Sequence, residues 1–254
     1  MSSLAASRVL LDNGYEPVFQ LTCRDRNSIA LQSDLMGASA LGIRNLLCLT
    51  GDPVKAGDNP NAKSVFEIES VKLLEIVGKL QQGRDGSGQK MNASTKFFPG
   101  AVVNPTLSSQ GQLLRMQKKI EAGACFFQTQ ANYDLDDFHN FLLEAAKLGS
   151  PVLAGVLVLH SSEIARYIHS NIPGIRMPES VLERFARGPG GEAEEETGIE
   201  LAVETMARLE GVCQGFHVMS VRYEEIIPRV LERYYERRKT SQDAPTPMSS
   251  TARR

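Results

Sequence analysis

At 254 residues the chain is long enough for one large domain or two small ones, and 42 % hydrophobic against 23 % charged residues describes an ordinary globular core. A net charge of −2 excludes a general attraction to nucleic acid or to an anionic membrane, and no apolar run reaches the roughly 20 residues that span a bilayer. The opening "MSSLAASRVLLDNG" lacks a basic segment followed by an unbroken apolar core, so it does not read as a signal peptide.

In chain order, short apolar runs suited to buried parallel strands alternate with longer segments of helical period. A first helix over "SLAASRVLLDNG" precedes a strand at 16–23 and a helix at 26–42, in which Ile29, Leu31, Leu35, Met36 and Leu41 are expected to share a face. A strand at 45–52 leads through a long loop to a helix at 64–81. Strands at 97–105, 125–130 and 151–159 are followed by helices at 109–124, 135–149 and 161–171. Helical segments at 178–187 and 193–211 precede a last strand at 215–221 and a helix at 224–239. "RGPGGEAEEE" (187–196) reads as a loop and helix start, because it follows no strand and its acids would repel phosphate. From 237 the chain turns polar and aperiodic, so the expected organisation is one domain over 1–236 and a disordered tail over 237–254.

Six strand-then-helix units imply either an open doubly wound sheet or a closed barrel. Polar groups recur at the C-terminal end of every strand: Thr22 and Arg24, Gly51 and Asp52, Asn104, Gln128 and Gln130, His160, Arg222. Groups contributed by all strands fit a (β/α)8 barrel, whose site is ringed by its βα loops, better than an open sheet with one switch point. A barrel needs eight strands and six are visible.

The common catalytic signatures are absent. There is no P-loop, and the four histidines show no HExxH or HxH spacing, so no metal site is expected. Cys23, Cys48, Cys125 and Cys213 are widely spaced without a CxxC pair and read as reduced packing thiols, which suits a cytoplasmic protein. Three local features remain. In "LTCRDRN" (21–27), Asp25 or Asn27 can cap the following helix. In "MQKKIEAGACFFQTQ" (116–130), Lys118 and Lys119 lie on a helix and two glutamines close the next strand. In "LTGDP" (49–53), Asp52-Pro53 is locally a turn starter.

These stretches, with "AGACFFQTQANYD", "PVLAGVLVLHS" and "GFHVM", together resemble the methylenetetrahydrofolate reductase family, most closely its bacterial and archaeal branch. Five motifs run in family order from about residue 2 to residue 235. The resemblance implies a (β/α)8 TIM barrel that holds FAD at its C-terminal mouth. Reduced flavin passes a hydride to 5,10-methylenetetrahydrofolate and yields 5-methyltetrahydrofolate, a step of one-carbon metabolism and methionine biosynthesis. Reducing equivalents come from NADH, NADPH or another donor, and a homo-oligomer or a partner subunit is left open.

Carried over residue by residue, the resemblance sets Leu49, Thr50, Gly51 and Asp52 along the flavin ring, with Asp52 as the electrostatic partner of its N1/O2 edge. Gln20 stands where other members place a flavin-contacting histidine, and Thr22 ends the same strand. Gly100, Ala101 and Asn104 match the segment passing the ribityl and adenosine portion. Lys118 and Lys119 match a basic pair near the diphosphate, and Gln130 matches a glutamine that hydrogen-bonds the pterin. Val158, His160 and Ile164 depart from the family pattern on the folate side. The family barrel also begins with about two further strands, on the order of 50 residues at roughly 30 per unit. The first carries a glutamate taken to protonate N10 of the folate, and no residue here matches it. The expectation is therefore an incomplete barrel lacking its first two strands, with a truncated gene model favoured over a half-open enzyme. The alternatives are a catalytically silent flavin- or folate-binding subunit that needs a partner, and, less favoured for want of a strand-borne lysine, a phosphate-binding lyase.

Overall fold

The computed structural model describes residues 1–242 apart from 108, 173, 176 and 187–189. Six strands form one sheet in sequential order, every neighbouring pair parallel. They are β1 (Val18–Thr22), β2 (Asn45–Leu49), β3 (Phe98–Val103), β4 (Phe126–Thr129), β5 (Val152–Val158) and β6 (Gly215–Ser220). Helices α1 (Ser3–Asp12), α2 (Ser28–Ala40), α3 (Ser70–Gln81), α4 (Ser109–Glu121), α5 (Leu135–Ala146), α6 (Ser162–Asn171), α7 (Glu179–Ala186), α8 (Glu192–Leu209) and α9 (Ile226–Gln242) alternate with them. Sequential parallel strands with a helix after each are the construction of a (β/α)8 barrel. Among the described residues β1 and β6 each have one strand neighbour, so the sheet is an open, incomplete barrel.

Local chemistry sets the helix starts. Asn27, not Asp25, caps α2 by accepting from Ala30 N at 3.0 Å; Asp25 is taken by Arg24 instead. Asp134 caps α5 and Ser161 caps α6 in the same way, each satisfying an otherwise orphaned amide. Glutamates at 192, 194 and 195 sit in the first turn of α8, where negative charge suits the helix dipole.

Three expectations are corrected. The stripe of α2 that meets the core is Leu31, Leu35 and Ala38, while Ile29 is 75 % exposed and Met36 and Leu41 are also exposed. At 100° per residue the i, i+4, i+7 set is one stripe, and Ile29 and Met36 form another. The helix expected from 64 starts at Ser70. Residues before it are held by other partners: Val65 N donates to Arg24 O at 2.7 Å, and the Glu67 carboxylate accepts from Ser28 N at 2.7 Å and Ser28 Oγ at 3.1 Å. Lastly, the tail expected from 237 begins as the end of α9, which continues to Gln242. Arg238 ties that stretch down through Glu210 at 2.7 Å. Residues 243–254 lie outside the described residues.

The helix-facing side chains of the strands make the core. Phe19 and Leu21, Leu46 and Cys48, Ala101 and Val103, and Phe127 all pack with Leu31, Leu35, Leu73, Val77 and Phe138 from the helices. Among the described residues no helix is long and apolar enough to cross a membrane.

Candidate functional site

Because side chains alternate along a strand, the residues between the core positions face the concave side of the sheet. There they border a groove of about 550 Å³. β1 contributes Gln20 and Thr22, β2 Leu47 and Leu49, and β3 Val102 with Asn104 just beyond. β4 contributes Gln128 with Gln130 just beyond, and β6 His217 and Met219. The volume lies in the range of small-molecule and cofactor sites. Below the groove, the Phe126 ring stacks on Phe98 at 5.4 Å and covers Gly100, where any side chain would run into it.

The end of β2 forms one wall. Gly51 has φ +94, and a Cβ there would sit 2.9 Å from Arg24 Cβ and 3.3 Å from Thr22 Cβ, so only glycine lets the backbone pass the end of β1 so closely. Thr50 Oγ1 accepts from Ser70 N at 3.2 Å, which joins this wall to the first turn of α3. Asp52 is exposed on the rim. The nearby Arg24 guanidinium donates to both Asp25 oxygens, at 2.7 and 3.0 Å, and holds that carboxyl below its ordinary range.

The opposite wall arises where two strands part. Pairing of β2 with β3 stops at Cys48–Ala101, whereas β3 stays with β4 to Val103–Thr129. Lys119 reaches this place from α4 and donates from Nζ to Val102 O at 2.7 Å. Burial, reinforced by the charge of Arg115, pushes its ammonium below the ordinary lysine range. Gln112 Oε1 accepts from Asn104 N at 3.2 Å, and Asn104 Oδ1 in turn accepts from Thr106 N at 3.0 Å. Gln112, Arg115 and Lys119 all border the groove at helical spacing.

Of the residues singled out in the sequence, Gln20, Thr22, Leu49, Thr50, Gly51, Asp52, Asn104, Lys119 and Gln130 are brought together around this groove. Three are not. Ala101 lies in the core, Gly100 lies beneath Phe126, and Lys118 is solvent-exposed on α4. The two lysines therefore do not form a pair at one site. Just beyond β5, His160 packs edge-on against Tyr223 at 5.1 Å, and Tyr223 Oη donates to Glu195 at 3.2 Å. The sequence reading gave Arg115 and His217 no site role, and it placed Gln128 among the strand-end polar groups without a specific one. Each had a signal: one helical turn before Lys119, two residues before Gln130, and an inward step of the last strand.

The remaining chemistry is uncharged. His217 is half-buried, its pKa lowered by that burial, and among the described residues it has no hydrogen-bond partner. No group of three metal-ligating side chains occurs among the described residues. All four cysteines are free; burial pushes the Cys23 thiol to about 11 and Cys48 to about 12, so neither is a nucleophile at neutral pH. The groove thus offers two cations on one wall, a carboxylate on its rim and amides between them. That set suits an elongated ligand with an anionic part and a polar planar part.

The methylenetetrahydrofolate reductase family model matches residues 1–235. Methylenetetrahydrofolate reductase 1 of Schizosaccharomyces pombe is 26 % identical over 221 residues, covering 84 % of this chain and 34 % of that protein. The 5,10-methylenetetrahydrofolate reductase of Pectobacterium carotovorum is 24 % identical over 220 residues, covering 84 % of this chain and 67 % of that one. The chain therefore spans about a third of the length of the eukaryotic relative. Among solved structures, a Clostridium thermocellum protein that binds two copies of 5-methyl-5,6,7,8-tetrahydrofolic acid aligns with a TM-score of 0.46 at 16 % identity, over 92 % of this chain and 99 % of that one.

Proposed function

Because the chain belongs to the methylenetetrahydrofolate reductase family, matched over residues 1–235, we propose that its groove binds FAD and reduces 5,10-methylenetetrahydrofolate to 5-methyltetrahydrofolate. The observation that carries this reading is the joint placement of Lys119 and Arg115 on one wall and the Thr50-Gly51-Asp52 turn on the other. FAD carries a diphosphate and a flat polar ring, and these residue types fit both. FAD bound there supplies the hydride.

The chain's own residues do the rest. Lys119 and Arg115 neutralise the diphosphate in a partly desolvated setting, where a cation acts more strongly than in water. Gln112 and Thr106 hold the Asn104 segment in place beside them. Gly51 brings the β2 backbone close to the ring, and Asp52 sets the charge at its edge, disfavouring anionic reduced ring and so favouring hydride release. Gln130, whose Oε1 accepts from Ala131 N at 3.2 Å, keeps its amide donor hydrogens for the pterin. Protein reconstituted with FAD should show a flavin spectrum that bleaches with NADH, NADPH or a ferredoxin-type donor. Absence of bound flavin at micromolar FAD would refute the reading.

A second reading has one observation in its favour. Among the described residues Asp52 is the one carboxylate bordering the groove, and it lies on the rim. A flavin- or folate-binding subunit that relies on a partner for the proton would look the same. Flavin binding and bleaching without folate reduction would select it.

A further inference from the structure

Gln128 stands out within the groove. It is 6 % exposed, yet among the described residues its amide makes no hydrogen bond, although it borders the groove. Its amide is therefore open to the groove, where a ligand can supply the hydrogen bonds it lacks. Its neighbours define what that ligand presents. One inward step down the strand is Phe126, whose stacked ring closes the groove floor. One step up is Gln130, with its carbonyl oxygen occupied by Ala131 N. Across the sheet is His217, also without a partner among the described residues. In register, Gln128 pairs with Leu153 and His217 with Gly155, so at the level of His217 the intervening strand presents no side chain.

We infer that Gln128 is a specificity-determining residue that reads the cyclic-amide edge of a planar heterocycle inserted edge-first toward the Phe126 floor, with His217 bordering the same groove one inward step further along. A primary amide accepts and donates side by side, which matches the O=C–N–H edge of a lactam with two parallel hydrogen bonds. A polar ring that lacks such an edge leaves one or both unmade and is rejected for that reason. Both pterin and isoalloxazine rings carry this edge. The inference rests on the proposed function and deepens it by assigning a ring contact which that reading leaves open.

The test is equilibrium binding to wild type, Gln128→Met and Gln128→Glu. FAD and 5-methyltetrahydrofolate are titrated separately, with ADP as the control lacking the isoalloxazine and p-aminobenzoylglutamate as the control lacking the pterin. Gln128→Met keeps the length of the side chain and removes the amide. It should bind one of the two ligands at least about tenfold more weakly, leave the matching control unchanged, and show no lower thermal midpoint without ligand. A loss confined to FAD assigns the flavin ring, and a loss confined to the folate assigns the pterin. If Gln128→Met does not fold, Gln128→Glu, which cannot donate when ionised, carries the same expectation. Wild-type affinity of the folded variants for both ring ligands overturns the inference alone. Wild-type protein that binds neither ring ligand overturns it together with the functional reading.

Discussion

Lys119 Nζ donates to the carbonyl oxygen of Val102 at 2.7 Å, at the place where β2 and β3 cease to pair. This one hydrogen bond satisfies a strand carbonyl freed by the splay and brings a cation from the outer helix layer to the groove. It also separates Lys119 from its neighbour Lys118, which stays in solvent.

Replacing Lys119 by Gln should therefore weaken FAD binding by about tenfold or more, whereas Lys118→Gln should change it by less than about threefold. Fluorescence titrations at low and high salt provide the check. Affinity for FAD should also depend less on salt in Lys119→Gln, because one charge contact has gone. Equal losses from the two substitutions would show that the exposed lysine contributes as much as the half-buried one.

Gly51→Ala should cost about 1–3 kcal/mol of folding stability, because φ +94 and the 2.9 Å approach to Arg24 Cβ both oppose a methyl group. Denaturant titration measures this. Gly42→Ala is the control, since Gly42 also has positive φ, at +84, but nothing lies within 4 Å of its added Cβ. Gly51→Ala should be the more destabilising of the two.

His217 supplies a pH prediction. Burial lowers its folded-state pKa below the ordinary histidine value, so between the two values the unfolded chain binds more protons. Stability must then rise with pH through that window and fall as pH drops below about 6.5. His217→Gln should remove this component, and its stability relative to wild type should increase on acidification from pH 7 to 5. A difference that is constant with pH would mean that His217 does not titrate differently in the folded protein.

Asp52 is exposed, which limits its electrostatic effect through screening. Asp52→Asn should make the bound flavin easier to reduce and should slow folate reduction, each by roughly threefold to tenfold. Rapid-mixing of the two half-reactions separates them, and unchanged rates in both would remove Asp52 from the ring's edge.

Much of this arrangement was legible in the sequence because it depends on local pattern. Alternation in "VFQLT" and "NLLCL" fixes which residues meet the helices and which line the groove, and each strand lies where the apolar runs lie. What was not legible depends on contacts between distant segments. The start of α3 is set by Glu67 reaching Ser28, 39 residues away, which no periodicity reveals. Lys118 and Lys119 look equivalent in sequence and are distinguished by the parting of β2 from β3. Gly100 and Ala101 look like a binding segment, but Phe126 covers one and the core takes the other. Gln128 and His217 lay on the readable inward alternation, but their lack of partners is a property of the folded groove.

The most direct measurement is anaerobic reoxidation of the photoreduced, FAD-reconstituted protein by 5,10-methylenetetrahydrofolate, followed by flavin absorbance and by chromatography of the folate. Recovery of oxidised flavin with one 5-methyltetrahydrofolate formed per flavin is the expected result. Flavin that stays bound and reduced, with no 5-methyltetrahydrofolate formed, would contradict reduction by this groove.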